Sequence, residues 1–433
     1  MNMHYAQKRP WQIATLALLL QITGVITIEV PRVAAQTIVH RSPSSCQPSG
    51  SLSVLVDGTN AISYIPKGNW RGAGGNGVSV VNLEGSRITP TLIPTPNMVN
   101  SCASNAKSGQ TVCTANNTDV YLLAGTALSN TITSGGSGTI RFTGGNCTNC
   151  GVAMDADHNA AVIGLSVAGA PGFQFLDLRS SPSFEPVFAS PAGVISEDLV
   201  LDPTNGAQGV LLLSAAENGN FEIVNLPTLP VGRGRRAPQF FENPTSAGEL
   251  DSTAEDCSTG VVLAAAEFSG PSNVYIVDLT QATFTAGSPT GTWAAPSQVQ
   301  SLSESFLSAG ASGVAVAQGT HIGMVSGEFG GASITAIALP TASGSGIPAI
   351  NDWVTCSIPG GFATGDDPHT ATAYKSPNTR HAIGVLANEG ANTLAAIDLT
   401  KMLDTTTVAR TTSGHGCASG TLPSTVVTLV SVP

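Results

Sequence analysis

The acidic side chains hold most of the chemistry this chain can offer. Asp155 and Asp157 stand with His158, Glu197 with Asp198, Glu249 with Asp251, Glu255 with Asp256, and Asp366 and Asp367 with His369. Carboxylates brought to one place repel unless a proton or a cation intervenes, and several oxygens at one point suit calcium or another hard divalent cation. Asp155, Asp157, Asp198, Asp251, Asp256, Asp367 and His369 are therefore the candidate ligand or metal residues. A cation held there would polarise a carbonyl or activate water, as in a metal-dependent lactonase or hydrolase, with Asp198, Asp251, Asp367 and His369 as the residues for that chemistry. The competing role is turn capping, in which Asp and Glu accept from loop backbone N–H groups. The acids vary in number and spacing from group to group and no nucleophile–base pair accompanies them, so binding is favoured over catalysis.

Other motifs carry less. Gly72 to Gly77 reads GAGGNG, but a strand follows it where a dinucleotide site needs a helix N-terminus. GxSxG, HExxH, phosphate-loop and EF-hand signatures do not occur in the sequence. Cys147-Thr-Asn-Cys150 is one CxxC without a second and is followed by Gly151, which removes covalent haem and argues for a local disulfide over zinc. Gly232 to Arg236 is the one basic cluster in a chain of 17 basic and 28 acidic residues, formal charge −11, so no nucleic-acid partner is expected. Four Trp and five Tyr leave no aromatic platform for stacking sugars.

The ends of the chain set the compartment. Lys8 and Arg9 precede an apolar run from Ile13 to Ile28, and Val33-Ala34-Ala35 supplies small residues before a cut. This pattern is a secretory signal peptide, expected to span 1–35 and to be removed after Ala35; an uncleaved anchor is the alternative. No later segment is apolar enough to span a membrane, so the mature chain is expected to be secreted or periplasmic. Its eight cysteines, an even number, fit disulfide pairing there. Cys102 with Cys113 and Cys147 with Cys150 are the local pairs expected, and Cys46 with Cys417 would join the two ends.

The elements that must position these residues follow from a repeat. Apolar residues ending in Asp or Asn and then Leu recur as VVNL (80–83), FLDL (175–178), IVNL (223–226), IVDL (276–279), the decayed AIAL (336–339) and AIDL (396–399). The first interval, 95 residues, is about twice the second, 48, so a degenerate copy is expected inside it, near Thr139 to Thr143. Around each copy lie short strands separated by turn residues, such as Leu199 to Asp202, Val210 to Ser214, Phe221 to Leu226 and Pro238 to Phe241. Second strands such as VLLLSA and AIGVLA are apolar on both sides of the pleat, as strands packed on both faces require. Packets of four such strands are the signature of propeller blades. The expected fold is all-β: one domain over 36–433, a seven-bladed β-propeller of four-stranded blades. Its ring would be closed by pairing Ser51 to Val56 with Thr425 to Val432. One helical turn is expected, at Thr400 to Asp404.

These strand motifs, with CTNCGVAMDAD (147–157) and DPHTATAY (367–374), resemble those of exported bacterial β-propellers of the YVTN/NHL-type repeat class, including its uncharacterised members. The resemblance implies the propeller fold and assigns no functional residue. The function expected is that of a monomeric, non-enzymatic binding or scaffold protein. It would recognise a protein or small-molecule ligand at one face of the ring, with a cation at the central channel as the candidate cofactor.

Overall fold

The computed structural model describes residues 36–37, 52–66, 75–85, 88–142, 145–156, 158–189, 199–202, 210–215, 220–226, 239–244, 249–267, 274–278, 282–284, 292–293, 299–302, 311–327, 333–341, 350, 352–360, 370–388 and 392–433. The expected signal peptide, Cys46 and the 232–236 basic cluster lie outside these residues.

Sheets of four or five strands follow one another along the chain, each running from an inner strand outward. The first comprises Ser53–Asp57, Asn60–Pro66, Val78–Asn82 and Thr91–Ile93. The second comprises Val99–Asn105, Gln110–Ala115, Asp119–Ala124 and Ala127–Thr133. The third has Asn149–Asp155, Ala160–Val167, Ala170–Asp177 and two short outer pieces, Ser183–Phe184 and Phe188–Ala189. The fourth has Leu199–Asp202, Val210–Ala215, Asn220–Leu226 and Gln239–Pro244. The fifth has Glu249–Asp256, Val261–Glu267, Val274–Asp278 and Val299–Leu302. The sixth has Ala311–Ala317, Ile322–Gly327, Ser333–Ala338 and Trp353–Ser357, with Gly416–Thr421 added in parallel. The last has Thr370–Lys375, Ala382–Asn388, Thr393–Asp398 and Val427–Ser431. Consecutive inner strands pack side by side, and the last inner strand lies against the first. The fold is thus an all-β β-propeller of four-stranded antiparallel blades.

The repeat marks the third strand of its sheet, and its chemistry explains why it recurs. Its Asp or Asn accepts from a backbone N–H two or three residues on: Asn82 from Glu84 N at 3.2 Å, Asp177 from Arg179 N at 2.9 Å, Asp398 from Lys401 N at 3.0 Å. The leucine that follows is buried at Leu178, Leu339 and Leu399. Its backbone N–H reaches the start of the second strand, from Leu178 to Asn159 O and from Leu339 to His321 O. Where all its parts are present, as in FLDL, the copy ends a strand, caps the exit and fastens the hairpin behind it.

One expectation about the repeat is corrected. The third strand of the second sheet is Asp119–Ala124, whose Val-Tyr-Leu-Leu lacks the Asp or Asn cap, and not Thr139 to Thr143. Ile140–Phe142 instead forms a two-stranded ribbon with Gly145–Cys147. The helical turn appears as expected, at Leu399–Leu403, N-capped by Asp398.

Sheet faces supply the core. One cluster joins Leu55, Tyr64 and Val80 of the first sheet to Cys102, Tyr121 and Leu123 of the second; another joins Leu263 and Ile276 of the fifth to Val314 and Val325 of the sixth. Second strands are buried along most of their length because both faces meet a neighbour. The approach is close enough that a Cβ on Gly384 would overlap Met324 Sδ of the preceding sheet.

Ring closure also differs from expectation. Ser53–Asp57 pairs only within the first sheet, as its inner strand, and Val427–Ser431 is the outer strand of the last. The two sheets meet by their faces, through Leu52, Val54 and Val81 against Tyr374, Val385, Leu394 and Val430, and Ser79 Oγ donates to Pro433 O at 3.1 Å. An inner strand already paired on its only sheet side leaves the end strand to find an outer edge, so face packing does the closing. The Cys46–Cys417 bridge is likewise corrected: Cys417 bonds Cys356, clamping Gly416–Thr421 to the sixth sheet. Cys102–Cys113, directly opposite in register, and Cys147–Cys150 pair as expected. No helix among the described residues is long and apolar enough to cross a membrane.

Candidate functional site

The acidic residues divide between opposite ends of the inner strands. Asp155 and Asp256 are the last residues of theirs, whereas Asp251 is the third residue of Glu249–Asp256. At about 3.3 Å per residue, Asp251 and Asp256 stand roughly 16 Å apart along one strand. Asp157, Asp198, Asp367 and His369 lie outside the described residues, as does the Asp251 side chain; in sequence Asp198 and His369 immediately precede the inner strands Leu199–Asp202 and Thr370–Lys375. Strand direction thus separates Asp155 and Asp256 from Asp251.

Asp155 and Asp256 are fully buried and serve their turns. Asp155 accepts from His158 N at 3.1 Å and pairs with His158 Nδ1 at 2.6 Å. Asp256 accepts from Ser258 N at 3.0 Å and Ser258 Oγ at 2.6 Å, and its other oxygen pairs with His321 Nδ1, on the sixth sheet, at 2.7 Å. Asn105 ends the second inner strand in the same way, accepting from Lys107 N at 2.8 Å. Ser258, His321 and Asp256 do not form a relay, because the serine hydroxyl donates to the carboxylate itself. Among the described residues no group of three or more His, Cys, Asp or Glu side chains is placed to hold a metal ion.

A cleft of about 210 Å³ opens elsewhere, where the first and last sheets meet. The first sheet contributes Leu83, Glu84 and Ile88; the last contributes Tyr374, Ser376, Thr379, Ile383, Ala396 and Asp398; Lys401, Thr425, Val426 and Thr428 complete the wall. Glu84 ties the two sheets together. It accepts from Tyr374 Oη at 3.1 Å and from Asn378 Nδ2 at 2.8 Å, and Asn378 also donates to Thr59 O at 3.0 Å. Opposite, Asp398 caps the helical turn with one oxygen and with the other meets His381 Nδ1 at 2.8 Å and Lys401 Nζ at 3.4 Å.

Burial pushes the Tyr374 phenol far above its ordinary value, and the Glu84 charge and hydrogen bond, then Asp398, add to the shift. Tyr374 thus remains a hydrogen-bond donor through the neutral range. The cleft presents fixed carboxylates, an ammonium, several hydroxyls and an aliphatic ledge. That set can hold and orient a small polar molecule; it contains no activated nucleophile.

Sequence reasoning missed this site because its residues look like repeat furniture. Asp398 is the capping Asp of AIDL, Glu84 follows the leucine of VVNL, and Tyr374 closes the DPHTATAY stretch. The available signal was position: Glu84 and Asp398 flank the first and last copies of the repeat, and in a closed ring those copies become neighbours.

No protein-family model and no curated protein matches the chain. In structure the chain is similar to the β-propeller domain of Cps50 (Swd1) from Myceliophteria thermophila, with a TM-score of 0.46 at 11% identity over 82% of this chain and 96% of that one. It is also similar to a functionally unknown protein from Desulfotomaculum acetoxidans DSM 771, with a TM-score of 0.44 at 10% identity over 71% of this chain and 89% of that one.

Proposed function

We propose that the chain is an exported, non-enzymatic, seven-bladed β-propeller that binds a small ligand in the cleft between its first and last blades. Support for seven blades comes from the seven successive sheets and the contact between the first and last inner strands. Support for export comes from the 1–35 signal pattern and the three disulfides named above. The observation that carries the binding role is the cleft itself, polar groups converging from two blades over an aliphatic ledge.

Equilibrium dialysis tests this reading. The purified mature chain is dialysed against a small-molecule extract beside a Thr428→Trp variant, whose indole fills the cleft from an exposed position. Mass spectrometry should find at least one compound retained by the wild type and lost by the variant at equal thermal stability. Equal retention by both proteins, or none by either, would overturn the proposal.

A further inference from the structure

We infer that the ligand of this cleft is a neutral, polyhydroxylated molecule of about one sugar ring, an inference that rests on the binding reading above. The cleft lining mixes carboxylates, an ammonium and hydroxyls, so it offers both donors and acceptors. Glu84 and Asp398 already receive hydrogen bonds, yet both Glu84 oxygens and Asp398 Oδ1 each keep a further lone pair. Lys401 Nζ reaches only long contacts, 3.4 Å to both Asp398 Oδ2 and Thr425 O, and an ammonium has three donors. The hydroxyls of Thr425 and Thr428 are exposed and find no partner among the described residues. Hydroxyls that each donate and accept match this mixed set; other classes do not.

An anion would face two carboxylates against one lysine, in a chain of formal charge −11. An amine would have to compete with Lys401 for Asp398, and both Glu84 oxygens already accept from Tyr374 and Asn378. A purely apolar ligand would strip water from Glu84, Asp398 and Lys401 with nothing to replace it. The aliphatic side chains of Leu83, Ile88 and Ile383 give a ledge for the C–H face of a ring, without an aromatic platform. At about 30 Å³ per water, 210 Å³ corresponds to roughly seven waters, room enough for one ring.

Hydrogen–deuterium exchange and titration calorimetry test the inference with D-glucose, D-galactose and myo-inositol, beside putrescine and succinate as the cationic and anionic comparators. At least one of the three polyols should saturably protect backbone amides over 374–384 and 424–429. A Thr425→Val/Thr428→Val double variant should weaken that binding about fivefold or more with an unchanged melting temperature, because two solvent-facing hydroxyls leave no buried group unpaired. Thr131→Val, on the exposed outer strand of the second sheet, should bind as the wild type does. Protection by putrescine or succinate but by none of the polyols would overturn the ligand class and leave the cleft as the binding site. Absence of polyol protection, or an affinity indifferent to the double variant, would overturn the inference, while dialysis decides the binding reading separately.

Discussion

Two junctions between neighbouring sheets use the same device and end differently. At the fifth–sixth junction Asp256 is sealed: its carboxylate meets His321 across the interface, while Gln318 spans the same gap, donating to Glu255 O at 2.5 Å and accepting from Cys257 N at 3.1 Å. At the last–first junction the longer Glu84 reaches across to Tyr374 and Asn378, half-buried, and a cleft remains beside it. The first pair is sequential in the chain; the second joins residues 290 and 294 positions apart. A sealed carboxylate serves stability, and an open one leaves acceptors for a guest.

The sharpest way to break the comparison is to remove each carboxylate. Asp256→Ala empties a buried carboxylate site and leaves the half-buried His321 and Ser258 N–H without their acceptor, and should cost about 2–4 kcal/mol by chemical denaturation. Gly384→Ala should cost about 1–3 kcal/mol by overpacking against Met324, a check that the sheets meet as closely inside the ring as at its sealed junctions. Glu84→Gln keeps the shape and loses only charge-assisted hydrogen bonds, so a loss of about 1 kcal/mol is expected. A Glu84→Gln loss as large as that of Asp256→Ala would erase the distinction between open and sealed junctions.

Alkaline pH gives the smallest expected effect. The folded chain holds the Tyr374 proton more tightly than the unfolded chain, because burial and then Glu84 raise its pKa above 10.0. That contribution is complete below about pH 10 and is lost as the pH rises beyond it. Tyr374→Phe should therefore flatten the alkaline fall of the melting temperature. The fall should not vanish, since burial also raises Tyr64, Tyr121 and Tyr275. An identical alkaline limb in the variant would place the Tyr374 hydroxyl in water, outside the junction.

The sequence made the third strands legible because the fullest copies, such as FLDL, couple three physical needs in four residues: a buried strand, a capped exit and a buried leucine. In Val120 to Leu123 the cap is absent and the copy disappears from view although the strand remains, whereas AIAL, equally uncapped, is found by its regular 60-residue spacing. The strand-rich ends were read as partners because both were apolar and unassigned. Pairing preference alone does not say that Ser53–Asp57 already has Asn60–Pro66 two residues away. The acids share a place in the sequence, just before or within a first strand, and only strand direction puts Asp155 and Asp256 at one end and Asp251 toward the other. Glu84 and Asp398 were invisible as a pair because closure of the ring, and not local sequence, brings them to one cleft.

The position of a bound ligand is the most direct test of a cleft site. A crystal structure of the mature chain with a compound retained in dialysis should show density in the cleft, within hydrogen-bond reach of Thr425, Thr428 and Lys401. Density at the central channel beside the inner-strand ends, with an empty last–first junction, would contradict it.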